Sequence, residues 1–440
     1  MVFVSRQKRE GVKAAETVSS ARARAALFAI LLAFAAFWSV LVIRSNGIFA
    51  GSFSVDFRSF WAADQAFITS GPASAYDLGR ANVLIQQLSR YNGPGGGSLE
   101  AAPAPYPPPF FLIFAPFALL PPPIGLGLWT LFNLGLAVGA VWPLLRTART
   151  PWLALMAALL FFPLAFSLYA GQPSGILLFG LAQVYRSLQH EQDFRAGLWL
   201  GVLLLKPQYA FGLVLVLLLK RRWPALSGVA LAGVLLAVVS LALVGIQGLL
   251  AYRAMLSSVA GFRSAPAGIA PNIMISWRSF LLNLLPGLTD RTGLLLTLVC
   301  SVLTVLCIPI LWRGQWQPRR ADFATRFLGT MIVTLLAAYH SHIYGASLLL
   351  VPGAYLAISD ARGPLRRTLF LGLLAPPFLL LVTGSTIAVA LLLVILMTTT
   401  LALLLVWNGA GRPSRGTSGE SGNAQGVALA ATSRDQLVRS

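Results

Sequence analysis

The sequence predicts an all-α polytopic membrane protein, a bundle of about twelve transmembrane helices with interfacial helices in its first outer loop. Three observations carry that expectation. Of 440 residues, 57% are hydrophobic and only 10% are charged, where soluble domains carry about 25% charge. Apolar runs of spanning length recur along the chain, beginning with residues 25–43. Between them, Lys and Arg gather in short runs (RQKRE, RTAR, KRRW, PRR, RGPLRR), the pattern of the positive-inside rule. A formal charge of +20 invites a nucleic-acid reading, but nucleic-acid binders collect their charge on one face or stripe. Charge dealt out between apolar segments argues for a lipid bilayer as partner and against nucleic acid.

Taken in order, residues 1–24 are expected to form a basic cytoplasmic tail and 25–407 the transmembrane domain. The run 25–43 is longer than the apolar core of a signal peptide, and its basic flank places Ser54 outside. Residues 47–105 then form the first periplasmic loop. Within it, Ser54 can cap a helix from Val55 whose Phe57, Phe60, Trp61, Phe67 and Ile68 share one face, as in a helix lying in the membrane interface. Residues 74–92 allow a second such helix, and NGPGGGS reads as a connector. The proline-bracketed run 106–123 is too short to span and reads as half-inserted, while 124–145 crosses inward. Two hairpins come next, turning at Gly171-Gln172-Pro173 and at Lys206-Pro207. Residues 224–245 lead out to a second outer loop, 246–290. Crossings at 293–312, 326–338 and 343–358, a last hairpin over 368–407 and a disordered cytoplasmic tail, 408–440, complete the path. Every basic run then falls on the cytoplasmic side. Cys300 and Cys307 lie in one apolar segment, about 10 Å apart along a helix, beyond disulfide reach.

Polar groups inside an apolar chain are costly, so they mark candidate sites. On this topology Asp56, Arg58, Gln172, Lys206, Arg278, His340 and His342 all fall at or near the outer leaflet. Lys206 stands 14 residues from Lys220, about 21 Å along a helix, so it cannot snorkel to that end and must face outward or into a polar cavity. A lone ammonium beside a helix-breaking proline suits a phosphate. Asp56 allows two readings, a catalytic carboxylate or a first-turn acid stabilised by the helix dipole; Asp64 and Asp77 read as structural. His340 and His342 are spaced for a turn rather than a helix face and fit either hydrogen bonding to loop backbone or a place in an outer cavity. No third ligand accompanies them and no Asp-x-Asp pair is visible, so neither a metal nor a cofactor is expected. The chain has no Walker loop, dinucleotide fingerprint or GxSxG, which points away from a cytosolic nucleotide and toward a lipid-borne substrate.

Four stretches in order, VDFRSFWAADQAF with a following AYD, YPPPFF…FAPFALLPPP, GQPSGILLFGLA and LLLKPQYAF…KRRW, resemble glycosyltransferase family 87, polyprenyl-phosphate-sugar-dependent mannosyltransferases and relatives of the GT-C superfamily. The resemblance runs over roughly residues 50–360. It implies an inverting hexosyltransferase of the bacterial inner membrane, working on its periplasmic face, with a polyprenyl-phosphate sugar as donor and a glycan or glycolipid as acceptor. It also implies Asp56 as catalytic base, Lys206 and Arg58 at the donor phosphate, and Gln172 at sugar or phosphate. Arg278, His340 and His342 complete the candidate substrate-binding set, with His342 favoured over His340 because it precedes Tyr344. Several relatives carry an acidic residue after that tyrosine, where this chain has Gly345. The rival from another class is a flippase or other transporter of a lipid-linked sugar. Such a protein should show polar groups in both halves of the bilayer and repeat symmetry.

Overall fold

The computed structural model describes residues 21, 24–43, 47–49, 53–92, 99–263, 271–320, 322–358 and 363–409. The expected basic tail (1–20), the connector 93–98 and the C-terminal tail from 410 lie outside the described residues. Among the described residues there is no sheet; two isolated antiparallel bridges, Gly47 with Asn92 and Met274 with His342, are the β contacts.

The chain is a multi-pass membrane protein, but the count of about twelve spans needs correction. Among the described residues five helices are long and apolar enough to cross a membrane: α1 (Arg24–Ile43), α5 (Pro122–Leu145), α11 (Trp223–Ser258), the nearly continuous α13–α14 (Asp290–Leu311) and α18 (Thr386–Trp407 within Thr386–Gly409). A sixth is counted if α6 (Pro151–Leu159) and α7 (Phe162–Ala170), bent by 54° at their junction, make one crossing. Many of the remaining apolar runs fold as shorter pieces sheltered by protein. α8 (Ser174–Gln189) and α15 (Asp322–Ala337) each have 16 residues, about 24 Å, and most of their side chains are buried. α9 (Asp193–Leu200) runs into a 3-10 turn before Lys206, and only nine residues, α10 (Phe211–Leu219), lead back. Between α15 and α18 the chain forms α16 (Leu350–Ile358) and α17 (Gly363–Thr383). Irregular backbone at membrane depth is tolerated where protein, not lipid, surrounds it. Hydropathy cannot tell those two surroundings apart. By contrast α11 leaves Val234, Leu235, Val238 and Ile246 more than half exposed, the surface that lipid would cover.

Gly245 (φ 61°, ψ −173°) breaks α11 at the residue where the span was expected to end, and helical backbone resumes beyond it as far as Ser258. The second outer loop carries a further helix, α12 (Trp277–Leu284).

α2 (Val55–Ser70) begins where expected, but its setting and its cap differ. Ser54 is left-handed (φ 53°) and its hydroxyl donates to the Ile48 carbonyl at 2.8 Å, so it caps no helix N–H. The aromatic face does not lie on a bilayer. Phe57, Phe60 and Trp61 are buried, and Phe60 packs on α4 (Pro109–Ala118), edge-on to Phe110 at 5.0 Å and to Phe114 at 5.7 Å. Phe114 meets Trp129 of α5 at 5.0 Å, also edge-on. These edge-on geometries suit ring quadrupoles and add about 0.5–1.5 kcal/mol per pair beyond burial. The run 74–92, expected as a second interfacial helix, folds as a 3-10 turn, α3 (Leu78–Ile85) and another 3-10 turn. Asp77 caps α3, accepting from the Arg80 N–H at 3.2 Å.

The turn Gly171-Gln172-Pro173 sits where expected, between α7 and α8. It is tied to α2 and α5: the Ser54 N–H donates to Tyr169 O at 2.9 Å and the Trp129 indole to Gly171 O at 2.8 Å. Gly171 has φ 83°, and a Cβ there would stand 2.6 Å from Phe57 Cβ and 2.9 Å from its nitrogen. Only glycine satisfies both the turn and the contact.

Three helices, α8, α10 and α15, run between two polar ends of the fold. At one end the basic segments converge: Arg222 pairs with Asp193 and lies over Trp316, Lys220 donates to Gly314 O at 2.7 Å, and Arg319 approaches Glu191 at 3.5 Å. At the other end stand Gln172, Lys206 and the histidines. Gly171→Ala is expected to lower stability by about 1–3 kcal/mol through backbone strain and overpacking, read as a lower thermal midpoint in detergent. An unchanged midpoint would show that α2 does not depend on this contact.

Candidate functional site

Lys206 is the residue on which the site is built. It sits between two 3-10 turns, Gly201–Leu205 and Pro207–Tyr209, with extended backbone (φ −136°, ψ 80°) that breaks the helical path and turns the side chain inward. Only 6% of it is exposed. Its Nζ donates to Gln172 Oε1 at 3.0 Å and lies over two tyrosine rings, Tyr106 at 4.8 Å and Tyr344 at 4.5 Å. A desolvated cation over an aromatic face gains about 2 kcal/mol, which offsets part of the cost of burying it.

Gln172 stands by both the lysine and a carboxylate. Its Oε1 also accepts from the Tyr106 hydroxyl at 2.7 Å, and its side chain lies near enough to Asp56 to favour the charged form of that carboxyl. Among the described residues no ion pair joins Asp56 directly to Lys206. Burial raises the Asp56 carboxyl above its ordinary value; Gln172, Lys206 and Arg58 pull it back down. Asp56 as a whole residue is only partly buried.

His342 completes it. The imidazole stacks on Tyr344 with centroids 5.2 Å apart, so Asp56, Gln172, Lys206, Tyr344 and His342 form one contiguous set. Burial, reinforced by Lys206, His340 and Arg278, pushes His342 down to about 3, so it is a neutral hydrogen-bonding group. Backbone contacts hold its loop: Met274 pairs with His342, the Ile275 N–H donates to Ser341 O at 2.6 Å, and Gln208 donates to His340 O at 3.2 Å.

The other expected residues take different duties. Arg278 is fully buried and its guanidinium is spent on the outer loops. Nε donates to Phe262 O at 3.1 Å, Nη2 to Phe262 O at 3.0 Å and to Gly261 O, and Nη1 lies 3.3 Å from His340 Nδ1, with the group over the Tyr339 ring at 4.4 Å. Carbonyls and a histidine thus engage the Arg278 donors that were expected to face a phosphate. His340 belongs to this second cluster, its ring held by Arg278. Arg58 donates to Phe49 O, tying the segment before α2 to that helix, while its charge still reaches Asp56. Asp64 is buried with neither carboxylate oxygen paired among the described residues, and burial pushes it up to about 7. Among the described residues, no three His, Cys, Asp or Glu side chains come together as a metal would need.

Sequence reasoning missed the tyrosines. Tyr106 and Tyr344 flank Lys206, and Tyr209 packs against the backbone at Gly345, where a Cβ would stand 2.5 Å from its hydroxyl. A side chain at 345 would therefore have to displace Tyr209. The available signal was position: Tyr106 opens the YPPPFF run, Tyr209 comes just after Lys206-Pro207, and Tyr344 just after His342.

A family model, glycosyltransferase family 87, matches residues 105–338, which is 234 of the chain's 440 residues. The matched stretch contains Tyr106, Gln172, Lys206 and Arg278; Asp56 lies before it and His342 just beyond. No curated protein and no solved structure matches the chain.

Arg278→Lys keeps the charge but cannot span the same partners. It is expected to cost about 1–3 kcal/mol for each carbonyl left unsatisfied, read by thermal unfolding in detergent. A variant as stable as the parent would show that the loops at 261–278 and 339–345 hold without this guanidinium.

Proposed function

The chain belongs to glycosyltransferase family 87, and from that premise we propose that it is an inverting hexosyltransferase. It takes mannose, or a similar hexose, from a polyprenyl-phosphate sugar and passes it to a glycan or glycolipid on the periplasmic side of the bacterial inner membrane. The observation that carries this reading is Gln172, which accepts from Lys206 at 3.0 Å and favours the charged form of Asp56. A base and a cation beside one side chain lie within reach of a single sugar phosphate.

In this proposal the acceptor hydroxyl is held by Asp56. As its oxygen attacks the anomeric carbon, its proton passes to the Asp56 carboxylate. The bond from the anomeric carbon to the phosphate oxygen breaks, its electron pair leaves with the lipid phosphate, and Lys206 meets the developing negative charge. One displacement inverts the anomeric centre. The phosphate leaves without a proton from a second carboxylate, unlike the leaving group of a glycosidase. His342 and Tyr344 contribute hydrogen-bonding atoms and an aromatic wall beside the sugar. The gathering of the basic segments at the end away from Asp56 supports the periplasmic placement. A GT-C architecture remains the expectation from the family resemblance.

Asp56→Asn retains shape but cannot accept the proton. It is expected to lower kcat by about 100- to 10,000-fold with an unchanged melting profile, measured as transfer from polyprenyl-phosphate mannose. Turnover at the parent rate would remove Asp56 as the base.

The pH profile should be bell-shaped. Burial raises Asp56, so the ionised base is lost, and the rate falls, as pH drops through a value above the usual carboxylate range. Burial lowers Lys206 to about 7, so the ammonium is lost, and the rate falls again, as pH rises through that region. Removing the base in Asp56→Asn should flatten the acidic limb of the residual activity. A parent profile flat across the stable pH range would contradict both assignments.

A further inference from the structure

We propose that a cavity at the basic end of the fold, opposite Asp56, binds a phosphate-bearing anion presented by a membrane-lipid headgroup. The cavity has a volume of about 230 Å³ and is walled by Trp312, Gln315, Gln317, Arg320, Asp322 and Arg326. That is smaller than the roughly 300–1,000 Å³ that holds a drug-sized ligand, which suits a headgroup better than a nucleotide.

Its charges do not cancel. Asp322 answers two guanidinium groups, Arg326 Nη2 at 3.0 Å and Arg320 Nε at 3.5 Å, leaving one positive charge in excess. Arg326 spends Nη1 on Arg313 O at 3.0 Å, but its Nε is buried without a partner among the described residues. Arg320 gives Nη1 to Gln317 Oε1 at 3.0 Å, and no partner holds its Nη2 among the described residues. A buried orphan donor costs about 1–3 kcal/mol unless something else accepts from it. Planar guanidinium forks match the tetrahedral oxygens of phosphate. Around the cavity Arg222 and Arg319 are answered by Asp193 and Glu191, while Lys220 holds only the Gly314 carbonyl and adds a further positive charge. Arg326 in turn helps burial pull Lys220 below its ordinary value.

The lipid source is argued from position. Trp312 comes directly after α13–α14, a helix of spanning length whose last turns expose Val302, Leu303 and Leu306 by half or more. The Trp312 and Trp316 rings stack at 5.2 Å just beyond. The end of a lipid-facing helix of spanning length lies at the headgroup level, and basic pockets between helices at that level take anionic headgroups.

The full-length protein, purified in detergent and stripped of lipid, tests this by its thermal midpoint during titration with phosphatidylglycerol, phosphatidylcholine or inorganic phosphate. Phosphatidylglycerol should raise the midpoint saturably and phosphatidylcholine should not. Arg320→Gln removes one charged donor and should raise the half-saturating concentration about tenfold or more. Arg253→Gln, an exposed charge near the far end of α11, should leave the titration unchanged and controls for net charge. An equal, saturable shift with inorganic phosphate, lost in Arg320→Gln, would keep the anion site but overturn the lipid as its source. No saturable shift with either anion, or a wild-type titration in Arg320→Gln, would overturn the site itself.

Discussion

The rest of the active end depends on one amide. A carboxylate and an ammonium placed together in a buried site tend either to pair tightly or to neutralise one another by proton transfer, and either outcome removes the groups that chemistry needs. Gln172 works against the second outcome, accepting from Lys206 and favouring the charged form of Asp56 against the burial that raises it. In the proposed reaction this helps keep an ionised base beside a cation. Because Gln172 lies in the turn held by Gly171, Trp129 and Tyr169, its position is inherited from backbone that touches three helices.

Around this amide the protein separates two kinds of cation. Lys206 is held by aromatic faces and one amide oxygen, partners that orient a charge without cancelling it. Arg278 is held by carbonyls and a histidine, partners that consume its hydrogen-bonding capacity. In the proposed reaction the first arrangement leaves charge for a substrate; the second pins loops so that His342 stays beside Tyr344. Transfer of a sugar between two bound partners asks for both, a reactive charge and a rigid wall.

Much of this was legible in the residues. Gly171-Gln172-Pro173 and Lys206-Pro207 interrupt apolar runs with groups that force a turn, so both apices could be located from composition alone. Asp56 stood out because carboxylates are scarce. The burial of α2 was not legible, because an aromatic stripe at helical spacing looks the same whether lipid or Phe110, Phe114 and Trp129 cover it. The count of spans failed for the same reason, since short helices inside protein and long helices in lipid are equally apolar. Nor could the sequence tell an arginine that faces a phosphate from one that faces carbonyls, as Arg278 does. The tyrosines around Lys206 come from segments more than 200 residues apart, Tyr106 and Tyr344, and no local pattern joins them.

The direction of the helices has its own effect. Asp56 lies in the first turn of α2, Gln172 two residues before α8, and Lys206 five residues before α10. All three helices therefore begin at the same place, each turning the positive end of its backbone dipole, worth about half a charge, toward the cluster. Part of the field there is thus carried by peptide groups that cannot titrate. Such a field does not vary with pH and persists when a side chain is exchanged; in the proposed reaction it would set a floor under the hold on the donor phosphate, beneath Lys206, that point substitution does not reach.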